Sequence, residues 1–228
     1  KSIDEAFPSE TFEDLGYNVA THGQKSFNGV AILSKYPLRE ITRGLPGDKS
    51  DEQARWIEGT ICASREIKVC CLYLPNGNPL PGAKYDYKLA WMDRLYLRAQ
   101  ELLRSEQTSL MAGDFNIIPQ TEDAATPEVW ENDALFTLES RAKFRKILNL
   151  GFLDAFRACN DGPGHYSFWD YQAGAWDRND GIRIDHFLLS PTCADLLNDC
   201  KIDSDIRAVS YTHLRAHETP EHLVCRLL

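Results

Sequence analysis

The sequence predicts an α+β domain, with sheets layered against one another and helices outside. Three observations carry this reading. The chain has 228 residues, 43% of them hydrophobic, enough for one domain with a sizeable core. Eight short runs, apolar or alternating, are bounded by Gly, Pro, Asn or Asp. Only two longer segments show the three-and-four spacing of an amphipathic helix.

In chain order, the first strands are Tyr17–Thr21, Val30–Ser34, Trp56–Cys62 and Lys68–Leu74. A helix over Tyr87–Arg104 follows. Trp91, Leu95 and Leu102, with Met92, Tyr96, Ala99 and Leu103, recur on one side of it. Ser109–Gly113 reads as a buried strand. Glu139–Leu150 is the second helix, with Phe144, Ile147 and Leu148 inward and Gly151 as its stop. His165–Phe168 and Ile182–Leu189 are strands. Ser190-Pro191, a cap and a first-turn proline, opens a short helix through Leu196. Ile202–Arg207 is the last strand. The connections Leu74–Tyr85 and Asn116–Asp133 are long, a property of functional loops on a rigid sheet.

Charge narrows the function classes. The chain carries 34 acidic and 25 basic residues, a net charge of −9. That excludes a generic basic coat for nucleic acid, but not a local basic groove or an acidic cluster holding a metal against a phosphate. No apolar run approaches ~18 residues, so no membrane span is expected. The seven cysteines include an adjacent pair, Cys70-Cys71, and form no C-x-x-C. They read as reduced thiols of a cytoplasmic protein rather than a disulfide or zinc framework.

Five segments hold the polar chemistry. In Gly113-Asp114-Phe115-Asn116 a buried strand ends, and Asp114 and Asn116 point to one side if the chain stays extended. Their hard oxygens suit a magnesium–water–phosphate site, and equally a strand-ending Asx turn. In Arg183-Ile184-Asp185-His186, Asp185 is a carboxylate inside an apolar strand. It either pairs with Arg183 or orients an imidazole, while His186 faces away as a packed histidine. Tyr73, where a strand runs into Pro75-Asn76-Gly77, is either a phosphate contact or an interfacial tyrosine. Tyr166-Ser167-Phe168-Trp169-Asp170-Tyr171 is an aromatic wall for a sugar or base, or a core corner. Lys25 and Asn28, in Gly23-Gln24-Lys25-Ser26-Phe27-Asn28-Gly29, lie on a polar turn that suits a phosphate backbone or plain solvent.

Together, and in this order, these segments resemble the exonuclease III family of the endonuclease/exonuclease/phosphatase superfamily. Gly16-Tyr17-Asn18-Val19, Ala54-Arg55-Trp56-Ile57 and Asn179-Asp180-Gly181 extend the likeness. The resemblance implies a four-layered α/β sandwich, with two mixed sheets face to face and helices outside. It implies a magnesium-dependent enzyme, manganese being the alternative ion. The substrate would be double-stranded DNA, cut 5′ to abasic sites and degraded from 3′ ends. By that likeness Tyr73, Asp114, Asn116 and Asp185 are catalytic, and Asp114 and Asn116 also serve the metal. Lys25, Asn28, Phe168, Trp169, Asn179, Arg183 and Ile184 meet the substrate or support the site. A monomer with no membrane partner is expected. The competing readings are a phosphodiesterase of the same superfamily acting on RNA or lipid, and an inactive fragment.

The likeness covers residues 1–207, expected as one domain. The segment 208–228 is expected to be an atypical tail: no Ser-Asp-His turn follows Arg207, although His213 and His217 stand four apart. Lys1 resembles the lysine just after the family's metal-binding Glu, so the opening strands and that Glu are expected to be missing. Gln172 stands where the family has Arg. Residues that act as a unit fail together, so weak activity is expected of this chain.

Overall fold

A computed structural model describes residues 2–170, 174–203 and 223–227. Its centre is a six-stranded mixed sheet in the order β3-β4-β5-β6-β10-β7. These strands are β3 (Leu38–Arg43), β4 (Trp56–Cys62), β5 (Glu66–Tyr73), β6 (Ser109–Asp114), β7 (Leu153–Asp154) and β10 (Asp185–Leu189). β5 and β6 run parallel, and the other neighbours are antiparallel. The parallel pair needs a crossover, which the 22-residue helix α2 (Ala83–Arg104) supplies.

The pleat sorts the core into two faces. Trp56, Cys70, Leu72, Met111 and Leu188 point to one side, where they meet α2 and α3 (Leu138–Asn149) through Trp91, Leu95, Phe144 and Ile147. The intervening residues point to the other side. There Ile57 packs with Ala20 and Ile32 of the hairpin β1 (Asn18–His22)–β2 (Val30–Ser34). On the same side Leu110 and Leu189 pack with Cys200 of β11 (Leu197–Ile202). β11 in turn pairs with β12 (Leu223–Leu227). The two long helices therefore lie over one face, and the hairpin and β11 over the other together with two short helices through Phe156 and Cys193, the α+β layering the sequence predicts.

Short elements complete the chain: α1 (Ser9–Asp14), α4 (Ala155–Cys159), α5 (Pro191–Ala194), and the pair β8 (Phe168–Trp169)–β9 (Gly181–Ile182). Two predicted strands are corrected. His165–Phe168 shrinks to β8, because the Ser167 hydroxyl, not a ladder carbonyl, accepts the amides of Ile184 and Asp185. Ile182–Leu189 is two strands, broken where the Arg183 amide turns to the Asp123 carbonyl. Of the predicted Ile202–Arg207, Ile202 is the last residue of β11, and 204–207 lie outside the described residues. Tyr171, Gln172 and 204–222, with His213 and His217, lie outside the described residues.

The edge strand β3 carried no sequence signal. Its charges alternate with Ile41, and a bulge lies between Arg39 and Thr42, where Glu40 has φ +52°.

Candidate active site

Three predicted residues stand in one row. Tyr73 and Asp114 are register partners across β5 and β6, and Asp114 and Asp185 across β6 and β10. Adjacent strands lie about 4.8 Å apart, so the row is about 10 Å wide. All three follow the pleat of Cys71, Ala112 and Phe187, so they share the strand-covered face. The close approach of β5 to β6 explains Gly113, which has φ +133°. A Cβ there would stand 2.0 Å from the Leu72 carbonyl oxygen.

Asn116 joins the row by a different route from the one the spacing suggested. The extended chain ends at Asp114, and Asn116 has φ +47° in a turn. Its amide N–H donates to Asp114 Oδ1 at 2.7 Å. Its side chain is 4% exposed, with Nδ2 donating to the Leu74 carbonyl at 2.9 Å and Oδ1 accepting from Asn76 Nδ2 at 3.2 Å. The Asx hydrogen bond and the proximity to Asp114 thus coexist.

Asp185 is buried, and burial pushes its carboxyl up to about 6 while a hydrogen bond from Ser167 pulls it down. The alternative of an Asp185–Arg183 pair is overturned. Arg183 is 1% exposed, and its guanidinium binds Asp123 at 2.7 Å and Asp154 at 2.9 Å. That burial also corrects its expected place on the substrate side. His186 is packed, as predicted. Its Nδ1 accepts from Arg183 Nη1 at 2.9 Å, so Nε2 carries the proton donated to the Ile117 carbonyl at 3.0 Å. Burial and Arg183 hold it neutral, with its pKa lowered to about 4.

The remaining predicted residues divide. Lys25 is exposed. Asn28 is 5% exposed, and its Nδ2 ties Gln24 to Gln53, so it pins the turn rather than presenting an amide to a ligand. Phe168 is half-buried and joins the apolar cluster of Ile184, Ile118, Leu135 and Phe136. Ile184 itself is buried there. Trp169 is corrected from the open wall to the core: it lies edge-on to Trp176, and its Nε1 donates to the exposed Asn179 Oδ1 at 3.1 Å.

Two residues received no role from the sequence. Arg55 donates to the Tyr73 carbonyl at 3.1 Å, and its guanidinium carbon lies 5.1 Å from the centre of the Tyr73 ring. Lys88 of α2 is wholly buried and donates to the carbonyls of Asn76 at 3.0 Å and Asn116 at 2.7 Å. Burial lowers its pKa to about 7 against the pull of Asp133 and Asp114. A signal for Lys88 existed: it sits three and four residues before Trp91 and Met92, on the apolar stripe.

The donor chemistry fits a hard divalent cation shared with a substrate phosphate. Asp114 is a part-exposed carboxylate, and magnesium takes one or two carboxylates together with substrate phosphate oxygens. Asn116 offers its oxygen less readily, since Asn76 already donates to it. No group of three or more His, Cys, Asp or Glu suited to a closed metal cage occurs among the described residues.

Residues 3–205 match the profile of the Endonuclease/Exonuclease/phosphatase family. The chain is 35% identical to exodeoxyribonuclease III of Haemophilus influenzae over 92% of its own length and 82% of that protein. It superposes on an AP endonuclease from Archaeoglobus fulgidus with TM-score 0.88 and 32% identity, over all of this chain and 85% of the other. It also superposes on a 3′ phosphatase from Neisseria, solved with a product DNA hairpin, with TM-score 0.89 and 29% identity. That match covers 98% and 84% of the two chains.

Proposed function

The chain belongs to the endonuclease/exonuclease/phosphatase family, and from that premise we propose a DNA-repair phosphodiesterase that cuts 5′ to abasic sites and degrades duplex DNA from 3′ ends. The observation that carries the reading is the row Tyr73–Asp114–Asp185 at the ends of three adjacent strands. Two carboxylates and a phenol at one level suit in-line attack of water on a phosphodiester, and the relatives supply DNA as the substrate class.

In this reading Asp114 takes the proton of the attacking water. The Asn116 N–H bond to Asp114 Oδ1 leaves that carboxylate little rotational freedom. Tyr73, its backbone braced by Arg55, presents its hydroxyl to the scissile phosphate. Asp185 is the desolvated carboxylate of the row, to which the family resemblance gives the role of orienting an imidazole other than His186, whose ring is bonded to Arg183 and the Ile117 carbonyl. Magnesium is the assigned ion, with manganese as the alternative. When bound, it would supply Lewis-acid polarisation of a phosphoryl oxygen from a place on Asp114 and the substrate phosphate. Phe168 and Lys25 are the substrate-side residues, one for an extruded sugar and one for the backbone. We assign the protein to the cytoplasm as a monomer. No helix among the described residues is long and apolar enough to cross a membrane.

The test is a duplex with one abasic site, incubated with the chain and magnesium, with and without chelator. A nick on the 5′ side that the chelator abolishes is expected. No nick at stoichiometric protein overturns the proposal.

A further inference from the structure

Among the described residues, Lys88 is the one buried ammonium whose hydrogen bonds reach the candidate site. It projects from α2, on the helix-covered side of the sheet, opposite the face that carries the reacting row. Its two hydrogen bonds go to main-chain carbonyls 40 residues apart. One is on the loop after β5, at Asn76, and one on the loop after β6, at Asn116. Those same two residues meet again through their side chains, Asn76 Nδ2 to Asn116 Oδ1. The chain also makes room for the lysine. Gly77 has φ +94°, and a Cβ there would stand 2.6 Å from Lys88 Cδ.

Packing alone does not call for this arrangement. A buried ammonium is costly, and Met would fill the same space between Trp91 and the loops. The charge is placed where two loop carbonyls converge beneath the residue whose N–H holds Asp114. From this geometry we infer that Lys88 is a positioning residue of the phosphodiesterase site, clasping the β5 and β6 loops so that Asn116 fixes the Asp114 carboxylate. The inference rests on the function proposed above. It goes beyond it by placing a determinant of the rate on a helix that touches no substrate.

The experiment compares Lys88→Met, which keeps the stem and removes the donors, with Leu95→Ala, a packing loss on the same helix. Two readouts are taken on each folded variant: single-turnover cleavage of the abasic duplex, and hydrogen exchange at the Asn116 amide relative to global unfolding. Misplacement of a reacting group by about 1 Å costs roughly 10²-fold. Lys88→Met is therefore expected to lose about 10²-fold in maximal rate, with the half-saturating duplex concentration within about threefold of the parent. Exchange at Asn116 is expected to rise at least about tenfold, and Lys88→Arg to restore part of both. Leu95→Ala is expected to move global stability and neither readout. A Lys88→Met rate within about threefold of the parent, or an equal loss in Leu95→Ala, overturns the inference. If Lys88→Met does not fold, Gly77→Ala decides, because its Cβ displaces the lysine stem; a folded Gly77→Ala chain with parental rate and exchange overturns the inference. Exchange remains readable if the parent cuts nothing, which separates failure of the clasp from failure of the proposed activity.

Discussion

Two polar clusters lie within four residues of each other on the segment 183–186, and they are built on opposite terms. Around Arg183 every buried charge is met. Asp123 receives Arg183 and Arg157, Asp154 takes a second edge of the guanidinium, and His186 is held neutral by burial and by the cation beside it. Around Asp185, among the described residues, the charge is met only in part, since burial raises its pKa and the Ser167 hydroxyl offsets some of that rise. A compensated cluster holds the fold, whereas an under-compensated carboxylate beside a second one is a group poised to act on something else.

The largest effect is expected at the reacting row. Asp114→Asn keeps the shape and an acceptor for the Asn116 N–H, but removes the base. Cleavage is expected to fall by about 10²–10⁴-fold with little change in thermal stability. A variant that cuts within tenfold of the parent would remove Asp114 from the chemistry. Asp123→Asn tests the other cluster. It takes the principal partner from Arg183 and leaves Asp154, so a loss of about 3 kcal/mol in urea unfolding is expected, with the rate per folded molecule preserved.

Asp185→Asn sharpens the contrast through the sign of a stability change. A carboxyl whose folded pKa lies above its unfolded value destabilises the fold once it ionises, and the penalty disappears below the ordinary carboxylate range. The substitution should therefore stabilise the protein at pH 8, on the order of 1–3 kcal/mol, and the gain should vanish near pH 4. Melting curves at the two pH values check this. Destabilisation at pH 8 would mean that the charge is fully compensated after all.

The sequence made the row legible because strands read by period two and glycine marks close approach. Val30–Ser34 and Trp56–Cys62 match residue for residue, and Gly113-Asp114 is where the strands crowd. What stayed hidden depends on partners distant in the chain. Arg183 could not be told from a partner of Asp185, because its true acceptors are 60 and 29 residues away. Asn28 and Trp169 carried the motif, yet their burial follows from the neighbours folded over them. Lys88 broke the apolar stripe of its helix, which was readable. Its acceptors are main-chain carbonyls, which leave no trace in side-chain patterns.

The smallest expected effect is the most specific. Ser167 is 3% exposed, and its oxygen accepts the amides of Ile184 and Asp185 at 3.0 Å each, while its proton supports the Asp185 carboxylate. If ionised Asp185 is needed for cleavage, the acid limb of the rate profile lies near pH 6 in the parent chain. Removing the hydroxyl in Ser167→Ala withdraws support from the charged form alone, so the pKa must rise and the limb must move to higher pH, by about one unit or less. The rate on the alkaline plateau should change far less than the rate at pH 6. A limb that stays in place while stability falls would make Ser167 a strap for the β8–β10 turn and nothing more. A limb that moves as expected ties the under-compensated charge at Asp185 to the reaction, which no measurement of stability can do.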